Sequence, residues 1–140
     1  TRAIAQPVTG EALSLARLMA DRGDYQNGRQ LCETYLAAAP DCDAYLLLAT
    51  VCLESGDLRA GFEASRRAVY LDSDSAAAYY MLASISYRQG ARDAARRNME
   101  IVVKLLEAQP ADAPVAQYFN PTAGELRASA LGYLGEPVVA

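Results

Sequence analysis

The chain has 140 residues, a formal net charge of −4 and 52% hydrophobic residues. That length suits one domain with a real core, and the apolar content excludes an intrinsically disordered chain. The acidic balance speaks against sequence-independent nucleic-acid binding, and no apolar run approaches the roughly 20 residues that span a bilayer.

Ala and Leu dominate and β-branched runs are few, so the elements are expected to be helical. In chain order, three units are predicted over 9–41, 42–75 and 76–109, each a pair of antiparallel helices joined by a tight turn. They repeat at a period of about 34 residues. Gly23, Gly56 and Gly90 mark the turn in each, where a left-handed backbone is cheap only for Gly. A Leu followed by a small residue precedes each turn: Leu15–Ala16, Leu48–Ala49 and Leu82–Ala83. Gly28, Gly61 and Ala95 follow it, so the small residues of the two helices are expected to meet. Asp24 and Asp57 stand where an acid caps the next helix. A Pro-rich connection over 110–121, short of periodicity, leads to a helix over 122–134. That helix opens with Thr122 and Glu125 at capping-box spacing and carries Leu126, Ala130, Tyr133 and Leu134 on one face. The second helix of the third unit is read as long, from about Arg92 to Ala108.

These residues resemble the tetratricopeptide repeat (TPR). The resemblance implies an all-α, right-handed helical solenoid of three TPR helix pairs with a C-terminal capping helix, which a solenoid needs to cover its open end. Departures are local: Ser73 and Glu107 stand where Pro40 closes the first unit, and Tyr35 and Val102 replace the usual Ala late in the second helix.

The chemistry-bearing residues are few. The sequence has no His, the commonest general base and transition-metal ligand. Cys32, Cys42 and Cys52 match no zinc spacing and are expected as reduced thiols, Cys32 and Cys52 at packing positions. No phosphate loop, carboxylate pair or nucleophile elbow is present. The chain is therefore expected to bind rather than to catalyse, with no cofactor and no metal of its own.

In a TPR stack the first helix of each pair lines the concave face. The resemblance then places Leu13, Arg17 and Asp21, then Leu46, Thr50 and Glu54, then Tyr80, Ser84, Tyr87 and Arg88 in a partner-binding groove. Tyr80 and Tyr87 suit interface anchors, and Arg17 and Arg88 suit a carboxylate. Packing of the two tyrosines against the capping helix or a neighbouring repeat is the competing expectation. Arg66, Arg67, Arg92, Arg96 and Arg97 fall on second helices, as solvated outer-face charges or a second interaction face.

The stretch 68–134 resembles the C-terminal TPR tail of CheR-type chemoreceptor glutamate methyltransferases, the FrzF- and WspC-like group. Ala68, Tyr70, Leu71 and Asp72 match its turn motif, with Ser73 where Pro is usual. Arg97, Asn98, Leu105, Leu106 and Glu107 match its long helix. Thr122, Ala123, Gly124 and Leu126 match its last motif, with Glu125 in place of a basic residue. The resemblance implies a regulatory module, in the cytoplasm, of a parent whose S-adenosylmethionine-dependent catalytic domain lies upstream; the start at Thr1 rather than Met fits an excised piece. The partner would be a chemoreceptor, a signalling protein or the parent's own catalytic domain, with no nucleic acid and no membrane insertion. Two alternatives stand beside it: a type III secretion chaperone, since small acidic three-TPR proteins also cradle translocator peptides, and a generic TPR scaffold.

Overall fold

A computed structural model describes residues 10–117 and 119–135. Six helices form three pairs: α1 (Gly10–Asp21) with α2 (Tyr25–Ala38), α3 (Cys42–Ser55) with α4 (Leu58–Leu71), and α5 (Ala76–Arg88) with α6 (Arg92–Leu106). A short hairpin, β1 (Pro114–Ala116) and β2 (Phe119–Thr122), precedes α7 (Ala123–Tyr133). Each helix packs on its pair-mate and on the next pair, and α7 packs on α6.

The turns inside the pairs have one chemistry. Gly23, Gly56 and Gly90 hold φ of 84°, 89° and 87°, the left-handed region that only glycine enters without strain. At the middle turn the Asp57 amide donates back to the Cys52 carbonyl at 2.9 Å, and the Asp57 carboxylate accepts from the Ala60 amide at 3.2 Å, starting α4 as α3 ends. Asp24 caps α2 in the same way. Between the pairs, Asp41 and Ser75 cap α3 and α5.

The small residues set the spacing within each pair. A Cβ added to Gly28 would stand 3.0 Å from the Ala16 carbonyl oxygen. One added to Gly61 would stand 3.4 Å from Cys52 Cβ and 3.5 Å from the Ala49 carbonyl oxygen on its pair-mate, and 3.0 Å from Ile85 Cδ1 of the next pair. Ala16, Ala49, Ala83 and Ala95 are all fully buried. The Leu that precedes each Ala is less enclosed than its regularity suggests. Leu48 and Leu82 are half-buried, and Leu15 on the first described pair is 43% exposed.

The C-terminal end differs from expectation in two respects. α6 stops at Leu106, short of Ala108, and 110–121 is not aperiodic throughout. Its two strands pair antiparallel, Pro114 with Thr122 and Ala116 with Phe119, with an irregular register between them. Strands this short carry no period-2 signal, and Pro114 and Pro121 bring no N–H to a ladder, so the sequence pointed away from pairing. The expected capping box forms: the Glu125 amide donates to Thr122 Oγ1 at 3.3 Å and the Thr122 amide to Glu125 Oε1 at 2.8 Å. That second bond holds the Glu125 carboxyl below the usual carboxylate range. At the entry to α7 the Gly124 amide donates to the Ala111 carbonyl at 2.8 Å, where a Cβ on residue 124 would stand 2.9 Å from Ala111 Cβ.

Three apolar clusters fill the stack in chain order. The last joins Met99, Val102 and Leu106 of α6 to Leu126, Ala130 and Leu134. Tyr133, the fourth residue of the expected face, is half-buried, and Leu131, outside that face, is 6% exposed. Since Leu126 is 1% exposed in this cluster, Leu126→Ala should cost about 2–5 kcal/mol in urea unfolding. Tyr70→Ala, at a side chain 88% exposed, should stay within about 0.5 kcal/mol of the parent chain.

Candidate functional site

The first helices α1, α3 and α5 carry a row of side chains along one face of the stack. Across it Arg17 of α1 reaches Glu54 of α3 at 3.1 Å while its Nε donates to Asp21 at 2.9 Å. Burial opposes the charge on Arg17, but the bond to Asp21 and the field of Glu54 outweigh it, and its pKa is raised. The cation expected to receive a partner's carboxylate is thus already engaged by two carboxylates of the chain. Thr50 Oγ1 donates to the Leu46 carbonyl at 2.8 Å and Ser84 Oγ to the Tyr80 carbonyl at 2.9 Å. Both hydroxyls turn back on their own helices, leaving a face of low polarity between them.

Two of the expected groove residues belong to the core instead. Leu13 and Leu46 are each 2% exposed. Leu13 packs in the cluster that holds Leu47 and Val51 of the next pair, and Leu46 in the one that holds Ala77 and Met81. Stacking the pairs brings α3 over α1 and α5 over α3, and the fifth residue of each unit falls within that overlap. Tyr80 is half-buried, packed on the C-terminal cluster together with Val115 and Phe119. Tyr87 is 43% exposed and meets Tyr133 of α7 edge-to-face, with ring centres 5.1 Å apart, so the capping helix has taken one side of this ring. The Arg92 guanidinium lies 5.1 Å from the centre of the Tyr87 ring, and the two tyrosines, Arg92, Asp93 and Arg96 line an open hollow of about 440 Å³. Arg88 is exposed at the same end.

Sequence reasoning missed the hairpin's part in this face. Val115, Ala116 and Phe119 pack on the cluster of Leu46, Ala77 and Met81, and no periodicity pointed to them. On the second helices Arg66, Arg67, Arg92, Arg96 and Arg97 are all exposed, Arg66 pairing with Glu63 and Arg96 donating to the Leu134 carbonyl beside that hollow, each at 3.4 Å. Arg29 is half-buried: it bonds Asp57, the cap of α4, at 2.7 Å, which holds the Asp57 carboxyl below its usual range. Among the described residues no cluster of His, Cys, Asp and Glu has the geometry of a metal site, and no helix is long and apolar enough to cross a membrane.

No protein-family model matches the chain, and no curated protein matches it in sequence. Solved structures match its fold. PcrH from Pseudomonas aeruginosa, in complex with the chaperone binding region of PopB, superposes with a TM-score of 0.79 at 16% identity, over 96% of this chain and 100% of PcrH. The type III secretion translocator chaperone SycD of Yersinia enterocolitica gives 0.80 at 14% identity, over 96% of this chain and 94% of SycD. MamA gives 0.64 at 19% identity, over 90% and 74%. The chain therefore has a TPR-like helical repeat fold, and nothing in these matches links it to methyltransferase tails.

The three cysteines are free thiols in this structure. Cys32 and Cys52 are fully buried at the helix contacts, and Cys42 at the start of α3 is half-buried. Burial pushes Cys32 from about 9 up to about 12, and Cys42 and Cys52 up to about 11. The folded chain thus holds these protons more tightly than the unfolded one. The stabilisation is complete below about pH 9 and is lost as pH rises toward 11–12. Each thiol adds a slope of up to about 1.4 kcal/mol per pH unit across that window. Urea midpoints measured from pH 8 to 11 should fall more gently for a Cys32→Ala/Cys52→Ala chain than for its parent; equal slopes would mean that the thiols do not titrate this way.

Proposed function

We propose that the chain is a peptide-binding module, without turnover of its own, whose concave face holds an extended segment of a protein partner. The functional parallel we draw is a type III secretion chaperone that holds the chaperone-binding region of a translocator. The observation that supports it best is the extent of the fold match. PcrH is covered along its whole length, and the structures matched include one bound to a region of PopB and SycD with a peptide of the translocator YopD. The face itself suits the role. Its open residues, Thr50, Glu54, Tyr80, Ser84 and Tyr87, mix half-buried rings with short hydroxyls, and its cation is internally neutralised, so an apolar segment is favoured over an acidic one. Leu13 and Leu46 drop out as direct contacts, and Arg88 stands at the rim.

The regulatory-tail reading, in which the module adds receptor choice to an S-adenosylmethionine-dependent methyltransferase, rests on the sequence resemblance over 68–134 alone. The Gly124 contact with Ala111 gives the Thr-Ala-Gly motif a structural reason that does not depend on that family.

Calorimetric titration separates the two. Peptides tiling the chaperone-binding region of a translocator should bind with micromolar or tighter affinity. Ser84→Arg should weaken that binding at least tenfold while leaving the melting curve in place, because Ser84 is half-buried on the face and not in the core. Absence of binding by every peptide, together with altered receptor methylation when the module is deleted from a parent enzyme, would overturn the chaperone reading in favour of the regulatory tail.

A further inference from the structure

The turn between α4 and α5 needs only Asp72 to Ser75, whereas the equivalent turn between α6 and α7 runs from Glu107 to Thr122. The surplus chain does not project away from the stack. It folds into β1–β2 and lies back on the stack, with β1 against α5 and β2 against α7. Val115 and Phe119 touch both the cluster that holds Ala77 and Met81 of α5 and the C-terminal cluster on which Tyr80 packs. Along α5 the exposure is graded. Ala77 is fully buried, Tyr80 and Ser84 are half-buried, and Tyr87 is 43% exposed.

The hairpin has little to hold it except this seat. A two-stranded hairpin is marginal in water by itself, and this one has an irregular register and a proline in each strand. Its apolar side chains remain half-buried rather than enclosed. Such an element opens at a lower free energy than the helices beneath it. The surface that it covers, around Ala77 and Tyr80, is the α5 part of the face to which a partner segment would bind.

We infer that the β1–β2 hairpin is an internal strap seated against α5, which a partner segment must displace to reach Ala77 and Tyr80. The inference rests on the reading of the concave face as the binding surface. A strap of this kind lowers apparent affinity by the fraction of time that the seat is open, about a hundredfold if it is open one time in about a hundred. It also shields the apolar seat until a partner arrives.

The test uses the full chain and, as probe, a fluorescent synthetic peptide of residues 112–122, the strap's own sequence. Val115→Asp/Phe119→Asp should bind the probe at least tenfold more tightly than the parent chain, and Ser84→Arg, one turn from Tyr80 on α5, added to that variant should abolish the gain. Equal binding by parent and loosened chains, lost in both with Ser84→Arg, would overturn the strap while leaving the groove standing. No binding by either chain would overturn the strap as a competitor, and the translocator titration then decides the groove separately. If the aspartates compromise folding, hydrogen exchange on the unaltered chain replaces them. With the probe bound, the amides of Ala116 and Phe119 should lose protection while α3 and α5 gain it, and unchanged strap protection in the saturated complex would overturn the proposal.

Discussion

The close approach of paired helices at small residues is the constraint on which the rest of the stack depends. Ala16 against Gly28 brings two backbones near enough that an added Cβ would stand 3.0 Å from a carbonyl oxygen, and at Gly61 an added Cβ would stand 3.5 Å from the Ala49 carbonyl oxygen. Interiors pack at crystal-like density, so such a contact cannot open by a methyl group without moving the helix. Every other feature is registered on it. The left-handed glycines end the first helix where the second must turn back, and Asp24 and Asp57 start the second where its amides would otherwise lack partners. Each pair then presents one face to the next, and the clusters form at those faces.

A stack built this way leaves a concave row on the first helices and a charged outer row on the second. The concave row is not uniformly available. Its N-terminal part is tied by Arg17 to Glu54, β1 lies against α5, and Tyr133 covers one side of the Tyr87 ring. The open surface is the set of short and partly buried side chains between these ties.

The repeat was legible because its signals are local and recur. A positive-φ glycine, a capping acid and a small residue each answer to a requirement of a few neighbouring residues, and three copies reinforce one another. The capping helix was legible for the same reason, through Thr122 and Glu125 and the spacing of Leu126, Ala130 and Leu134. The groove was legible only as a register. Leu13 and Leu46 lie on the expected row, but whether a residue on that row meets solvent depends on how far the neighbouring pair overlaps it, and no local pattern encodes that overlap. Tyr87 shows the limit from the other side: its partner Tyr133 is remote in sequence, so either fate of the ring was compatible with the residues around it.

The sequence by itself determined the helix pairs, their turns and caps, the small-residue contacts and the helix that closes the C-terminal end, because each follows from backbone requirements within one or two turns of chain. The tertiary structure alone decided that the segment before that helix becomes a hairpin, that Val115 and Phe119 come to rest on the cluster that holds Ala77 and Met81, and that Arg17 spends its charge on Glu54. Those outcomes depend on surfaces that exist only after the pairs have stacked, and two short strands carrying a proline each have no local reason to pair until such a surface is there to receive them.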